Sequence, residues 1–290
     1  MTASSGHIRA GVAGWPIEHS RSPMIHEFWF ELCGIDAGYE RFPVPPGTFA
    51  EFAARIGKDG LVGSNVTVPH KVAAFAACDR RTSVAQALGA VNTLWREDGL
   101  LWGDNTDVAG FLGALDESAP GWDDRRRLAL VVGAGGAARA IVYALVERDF
   151  EHILVINRTL SHAQDLAAAY GDRVIAAPWD WLDAALTSVD LLVNTSVLGM
   201  EGHAALSLEL GALPEHAVVA DIVYVPLRTH LIEAASARGL RTTEGLGMLL
   251  HQAAPAFERW FGRRPEVTPE LRALVEADVK AAHRAHKAKR

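Results

Sequence analysis

Lys71 is the residue in this chain best placed by its surroundings to move a proton. It closes Asn65-Val66-Thr67-Val68-Pro69-His70-Lys71, where Pro69 predicts the start of a helix and puts the lysine in the first turn. A cation there opposes the helix dipole, so helix stability does not account for it. General acid–base duty would account for it, and so would an ordinary exposed lysine. Asp107 ends Asp104-Asn105-Thr106-Asp107, ahead of an apolar-periodic helix reaching about Leu115. An acid in a first turn is explained by capping and the dipole. It becomes catalytic if it holds and orients the amine of Lys71. Asn92 lies in an expected strand over 90–95, where asparagine is depleted, and an inward amide could bind a substrate hydroxyl. Gln252 falls on an expected helix from Met248 to about Phe261, among apolar neighbours that leave its amide in need of a partner. In His19-Ser20-Arg21-Ser22-Pro23, Ser22 before Pro23 reads as a helix cap, whereas Ser20 has no such duty and is the more suggestive of the two.

A second chemistry sits at Gly133-Ala134-Gly135-Gly136-Ala137-Ala138, which matches G-x-G-x-x-G/A. The apolar run Leu128 to Val132 before it suits a parallel strand buried on both faces, and the apolar stretch Ala137 to Val146 after it suits a helix. In that context the first glycine makes the tight turn, the second lets backbone approach a pyrophosphate, and the helix N-terminus faces the phosphates. The next strand, Ile153 to Ile156, leads into Asn157-Arg158-Thr159. A site for NAD usually carries Asp or Glu at that point, on the ribose 2′-hydroxyl. Asn157 followed by Arg158 suits a 2′-phosphate instead, and so NADP. A surface arginine followed by a capping Thr159 is the plainer alternative.

These groups need rigid elements behind them. Strands are expected over 8–13, 39–44 and 62–68, with a hairpin over 90–103 turning at Asp98-Gly99. Helices alternate with them, which predicts an α/β half with a mixed sheet. Asp116 to Arg127 is polar and carries Pro120-Gly121, so it reads as a connection into a second, nucleotide-binding half. That half continues with a helix over 161–170, strands near 189–193, 218–221 and 240–242, and a second glycine turn at Thr243 to Gly247.

The 290 residues suffice for two domains, and 49% hydrophobic with 22% charged residues is an ordinary globular balance. A net charge of −7 speaks against a nucleic-acid partner. The basic cluster Lys280 to Arg290 reads as a fraying helix end. Cys33 and Cys78 form no C-x-x-C pair, and reduced thiols in a cytoplasm are the simplest account. Residues 1–10 lack the apolar core of a signal peptide, and no apolar run reaches membrane-spanning length. The 12 histidines form no zinc pattern, so no metal is expected.

Seven ordered motifs over nearly the whole chain resemble the shikimate dehydrogenase family. They are H-S-R-S-P at 19–23, N-V-T-V-P-H-K at 65–71, G-A-V-N-T at 89–93, D-N-T-D at 104–107, G-A-G-G-A-A-R at 133–139, N-R-T at 157–159 and G-L-G-M-L-L-H-Q-A at 245–253. The resemblance implies an N-terminal α/β substrate domain over 1–108, completed by C-terminal helices over 248–290, and a Rossmann domain over 109–247, with the active site in the cleft between them. It makes Lys71 the catalytic proton carrier and Asp107 its partner. Ser20, Ser22, Thr67, Asn92, Asp107, Tyr224 and Gln252 become the substrate shell. Gly133, Ala134, Gly135, Gly136, Ala137, Asn157, Arg158, Thr159, Ile222 and Gly245 become the cofactor shell. His162 stands where many members carry a second arginine, and Asn194-Thr195-Ser196-Val197-Leu198-Gly199-Met200 departs from the family's N-A-T-S-x-G-M. The implied activity is the reversible NADPH-dependent reduction of 3-dehydroshikimate to shikimate in chorismate and aromatic amino-acid biosynthesis. The protein would be a cytoplasmic monomer or homodimer with small-molecule partners and neither nucleic acid nor membrane. A quinate-oxidising relative using NAD, and a catalytically silent dinucleotide-binding regulator, are the rival readings.

Overall fold

The computed structural model describes residues 7–287. The first six residues and the end of the basic cluster, 288–290, lie outside the described residues. The chain divides into two compact units: the residues up to Thr106 with Gln252–Val275, and Asp107–His251 with the chain from Glu276 onward.

The first unit runs β1 (Ile8–Gly14), α1 (Ser22–Cys33), β2 (Ala37–Pro43), α2 (Phe49–Ala53), β3 (Gly63–Val66), α3 (Lys71–Ala77), β4 (Arg80–Arg81), α4 (Ser83–Leu88), β5 (Thr93–Glu97) and β6 (Leu100–Asp104). Its sheet has the order β2-β1-β3-β5-β6-β4. Strands β1, β2 and β3 are parallel, and β5 is antiparallel to both β3 and β6. This is a mixed sheet. One core beneath it gathers Phe42, Phe49, Phe52, Ile56, Leu94 and Leu101.

The second unit runs α5 (Asp107–Ser118), β7 (Leu128–Val132), α6 (Gly136–Glu147), β8 (His152–Ile156), α7 (Leu160–Ala167), β9 (Val174–Ala177), α8 (Leu182–Ala185), β10 (Leu191–Asn194), β11 (Val218–Asp221), α9 (His230–Ala237), β12 (Arg241–Thr243) and α10 (Gly245–His251). All its strand pairings are parallel, in the order β12-β11-β10-β7-β8-β9. It is the doubly wound strand order of a Rossmann sheet, with its switch point between β7 and β10. Ala129 to Val132 are wholly buried, because helices cover both faces of the strand. Each valine or leucine so buried contributes roughly 1.5–3 kcal/mol.

Two last helices, α11 (Ala253–Phe261) and α12 (Pro269–Lys287), follow. The single helix expected over 248–261 is two, meeting at Gln252. Pro255 supplies the reason, since it has no N–H to donate to the carbonyl of His251 four residues earlier. Helix α11 adds Phe257, Trp260 and Phe261 to an aromatic cluster with Trp29 and Phe30 of α1, and Trp260 Nε1 donates to Leu94 O at 3.0 Å. The end of α12 groups with the second unit, where His283 Nδ1 pairs with Glu201 Oε1.

Candidate active site

In the first unit, the candidate residues are fastened by backbone bonds at the carboxyl ends of parallel strands. Just after β3, Thr67 N donates to Ala13 O of β1 at 2.9 Å. Residues 67–70 close a turn through His70 N to Thr67 O, also 2.9 Å, so α3 starts at Lys71 rather than at Pro69. His70 is buried and its Nε2 lies 2.7 Å from Val44 O, which anchors the turn. Lys71 is half-buried, and its backbone carbonyl accepts Val91 N–H at 2.9 Å, fixing the lysine's backbone beside the segment that carries Asn92.

Asn92 is not a strand residue as expected; it lies just before β5. There its side-chain oxygen accepts from Thr106 N at 2.8 Å, Thr106 Oγ1 at 3.2 Å and Thr93 Oγ1 at 3.0 Å. Asp107 follows Thr106 as the first residue of α5 and is buried. Ser22 does not cap α1 by its side chain. The roles of the two serines are reversed: Ser22 N and Oγ each lie 3.3 Å from Ser20 Oγ, which accepts the backbone N–H. Ser20 therefore has a local structural duty after all. Arg41 holds the Ser20 carbonyl from β2, at 3.1 Å through Nε and 2.6 Å through Nη2.

Two residues that the sequence reading passed over join these groups. Tyr39 hydrogen-bonds Ser22 and donates from its hydroxyl to Asn65 Oδ1 at 2.7 Å. Burial pushes the Tyr39 phenol well above its usual range, and the Ser22 bond only partly opposes this, so the phenol stays a neutral donor. Asn65 is buried in β3, in the middle of the sheet, and donates to Asn92 O at 3.2 Å and Thr93 Oγ1 at 3.1 Å. The signal was available: an asparagine inside a strand is the same anomaly that drew attention to Asn92. Gln252 stands half-buried at the junction of α10 and α11.

In the second unit, the two loops at the switch point of the sheet meet after β7 and β10. Gly133 has φ +110°, and a Cβ there would lie 2.7 Å from Thr195 Oγ1. Only glycine gives both that backbone and that approach. Gly135 and Gly136 have open space where a side chain would stand, at the start of α6. A cleft of about 440 Å³ follows, lined by Gly133, Asn157, Arg158, Trp179, Ser196, Val197 and Leu198. Its apolar wall and the exposed Arg158 guanidinium fit the two ends of a phosphorylated nucleoside, and the open glycine turn fits a pyrophosphate. Thr159 makes no side-chain cap on α7; Asn157 Nδ2 braces that turn instead by donating to Thr159 O at 2.8 Å.

Beside the cleft, Asp221 is buried and accepts from Asn194 Nδ2 (3.0 Å), Val223 N (3.0 Å) and Thr229 Oγ1 (2.7 Å). Burial pushes its carboxyl up to about 6, against the pull of those donors. Asn194 Oδ1 in turn accepts from Ser196 N and Oγ at 3.1 and 2.7 Å, shaping the loop that lines the cleft. Ile222 and Gly245 are brought together, because a Cβ on Gly245 would overlap the Ile222 carbonyl. Tyr224 is half-buried just beyond them in sequence. Among the described residues, no group of three or more His, Cys, Asp or Glu could hold a metal ion, and no helix is long and apolar enough to cross a membrane.

Three family descriptions match in chain order: shikimate dehydrogenase substrate binding domain over residues 12–94, shikimate / quinate 5-dehydrogenase over 119–199, and shikimate 5′-dehydrogenase C-terminal domain over 245–274. The shikimate dehydrogenase (NADP(+)) of Methylocella silvestris is 56% identical over 274 residues, covering 94% of this chain and 98% of that protein. The shikimate 5-dehydrogenase of Thermus thermophilus, solved with NADP(H) and shikimate, is 36% identical with a TM-score of 0.78, covering 95% of this chain and 99% of that one. The quinate dehydrogenase of Corynebacterium glutamicum, solved with NAD, is 30% identical with a TM-score of 0.84, covering 93% and 99%.

Proposed function

We propose that this chain, which belongs to the shikimate dehydrogenase family, catalyses the reversible NADPH-dependent reduction of 3-dehydroshikimate to shikimate. The substrate is taken by the part over 1–108 with the C-terminal helices, and the cofactor by the part over 109–247. NADPH, when bound, supplies the hydride. Lys71 delivers the proton to the oxygen that becomes the new hydroxyl, and Asp107 assists it. Ser20 and Ser22 bind the carboxylate with hydroxyl donors. Thr67, Asn92 and Gln252 bind ring hydroxyls, and Tyr224 completes the shell. Gly133 to Ala137 hold the pyrophosphate, Asn157, Arg158 and Thr159 hold the adenosine end with its 2′-phosphate, and Ile222 and Gly245 back the nicotinamide end.

The observation that carries the reading is the fastening of Lys71 and Asn92 to one backbone bond, Val91 N to Lys71 O at 2.9 Å, with an uncharged hydrogen-bonding network behind Asn92. An amine and an oriented amide so placed suit a hydroxylated ring that gains a proton. The test is an absorbance assay of shikimate and quinate, each with NADP⁺ and NAD⁺. Shikimate with NADP⁺ should be the fastest pair. Quinate oxidised with NAD⁺ at least as well would transfer the assignment to the quinate-active branch, represented by the Corynebacterium enzyme. Cofactor binding without turnover of either acid would favour a silent regulator. The enzyme works in the cytoplasm as a monomer or homodimer, which cell fractionation and light scattering would check.

A further inference from the structure

The buried amide of Asn65 has a single workable orientation, and that orientation passes down a chain of bonds to Asn92. One end of the amide faces Tyr39 Oη at 2.7 Å; the other faces Asn92 O at 3.2 Å and Thr93 Oγ1 at 3.1 Å. Asn92 O is a backbone carbonyl and can only accept. The end facing it must therefore be the NH₂ group, and the end facing Tyr39 the oxygen. Tyr39 must then donate, which its buried, neutral phenol can do. Thr93 Oγ1 receives one N–H of Asn65, so its own proton turns to Asn92 Oδ1, 3.0 Å away. Thr106 N and Oγ1 aim at the same oxygen. The side-chain oxygen of Asn92 is thus directed to Thr93 and Thr106, and its NH₂ end turns away from them. Each bond in such a series strengthens the next in a low-dielectric interior.

Burying an amide costs free energy unless every polar atom is bonded, and a valine at 65 would suit a central strand far better. Strand packing does not call for this asparagine, whereas the orientation of Asn92 does. We propose that Asn65 is a positioning residue: the Thr106 N–H already calls for the oxygen at that end of the Asn92 amide, and the Asn65–Thr93 bonds add a second anchor that holds the amide at the angle it offers to the substrate, and so sets shikimate affinity. The proposal rests on the functional reading above.

Asn65→Ala and Thr93→Val are measured beside the wild type and Thr93→Ser. Loss of one such bond series should raise KM for shikimate about ten- to a hundredfold, change kcat by less than about threefold, and leave KM for NADP⁺ unchanged. Thr93→Ser keeps the hydroxyl and should restore KM. If Asn65→Ala does not fold, the near-isosteric Thr93→Val with its serine rescue decides alone. A wild-type KM in a folded variant overturns the proposal, and so does a loss confined to kcat or shared equally with NADP⁺. A wild type that does not oxidise shikimate would instead refute the functional reading.

Discussion

The two units bury an ionisable group in opposite ways. The first encloses His26 among Tyr39, Trp29, Phe257 and Trp260, with neither ring nitrogen partnered among the described residues. The second encloses Asp221 and gives it three donors. An imidazole can enter an apolar core by giving up its proton, and burial alone lowers its pKa to about 3. A carboxylate that stays charged at neutral pH must be hydrogen-bonded to be tolerated there. The first unit links Ser20, Ser22, Tyr39, Asn65, Asn92 and Thr93 through uncharged hydrogen-bonding groups. The nucleotide unit shapes its cleft loops around one buried acid.

That contrast can be broken first by kinetics. Lys71→Ala should lower turnover about 10²–10⁴-fold, the range for a lost general acid, while NADP⁺ affinity stays unchanged. Near-normal turnover in a folded variant would remove Lys71 from the mechanism.

Acid sensitivity comes next. The folded pKa of His26 lies below its unfolded value near 6.5, so the unfolded chain binds the extra proton. The associated stability is complete above about pH 6.5 and is lost as pH falls toward 3, on the order of 5 kcal/mol over the whole window. Urea unfolding at pH 7 and at pH 4 should show His26→Phe losing less stability than the wild type. Equal losses would mean that the imidazole is not the acid-labile element of the first unit.

The nucleotide side has its own kinetic signature. Arg158→Ala should cost NADP⁺ about 10- to 150-fold in kcat/KM, the worth of one charge-assisted contact, while sparing NAD⁺. Equal loss for both cofactors would show that Arg158 does not read the 2′-phosphate.

The smallest effect is expected at Asp221. Its folded pKa of about 6 lies above the unfolded 3.8, so the native state binds more protons between those values. Its contribution is therefore most favourable below about pH 4 and declines as pH rises through 6. Asp221→Asn keeps acceptors for Asn194 and Val223 and can donate to Thr229. It should gain about 1–3 kcal/mol at pH 7 and little at pH 4, by the same urea titration. A gain of the same size at both pH values would contradict the linkage.

The second unit was the more legible in sequence, because its rules are local. Five apolar residues, a glycine turn and an apolar helix name β7 and α6 without reference to anything distant. Strand β9 escaped notice because Val174-Ile175-Ala176-Ala177 is short and half alanine, and pairs only with β8 at the edge. The break at Gln252 was written in Pro255, but the surrounding apolar run masks it. In the substrate unit, Ser22 looked like a cap in sequence, but the helix already begins there with Arg21 at the N-cap, and Ser20 Oγ accepts the N–H of Ser22 itself. The network through Tyr39 and Asn65 joins residues 26 apart, and Asn65 to Thr93 spans 28. No local spacing encodes such bonds; they exist only once β2, β1, β3 and β5 lie side by side.

Gly245 carries a consequence for the protein's freedom to change. Its Cα rests so closely on the Ile222–Val223 backbone that even a methyl group would overlap the Ile222 carbonyl. Neither partner is the flexible end of a side chain, so nothing nearby can yield at little cost. Position 245 is thus a fixed letter in an otherwise editable text. A library randomised there and screened for retention on a 2′-phosphate nucleotide resin should return glycine alone, however many other sites around the cleft accept new residues.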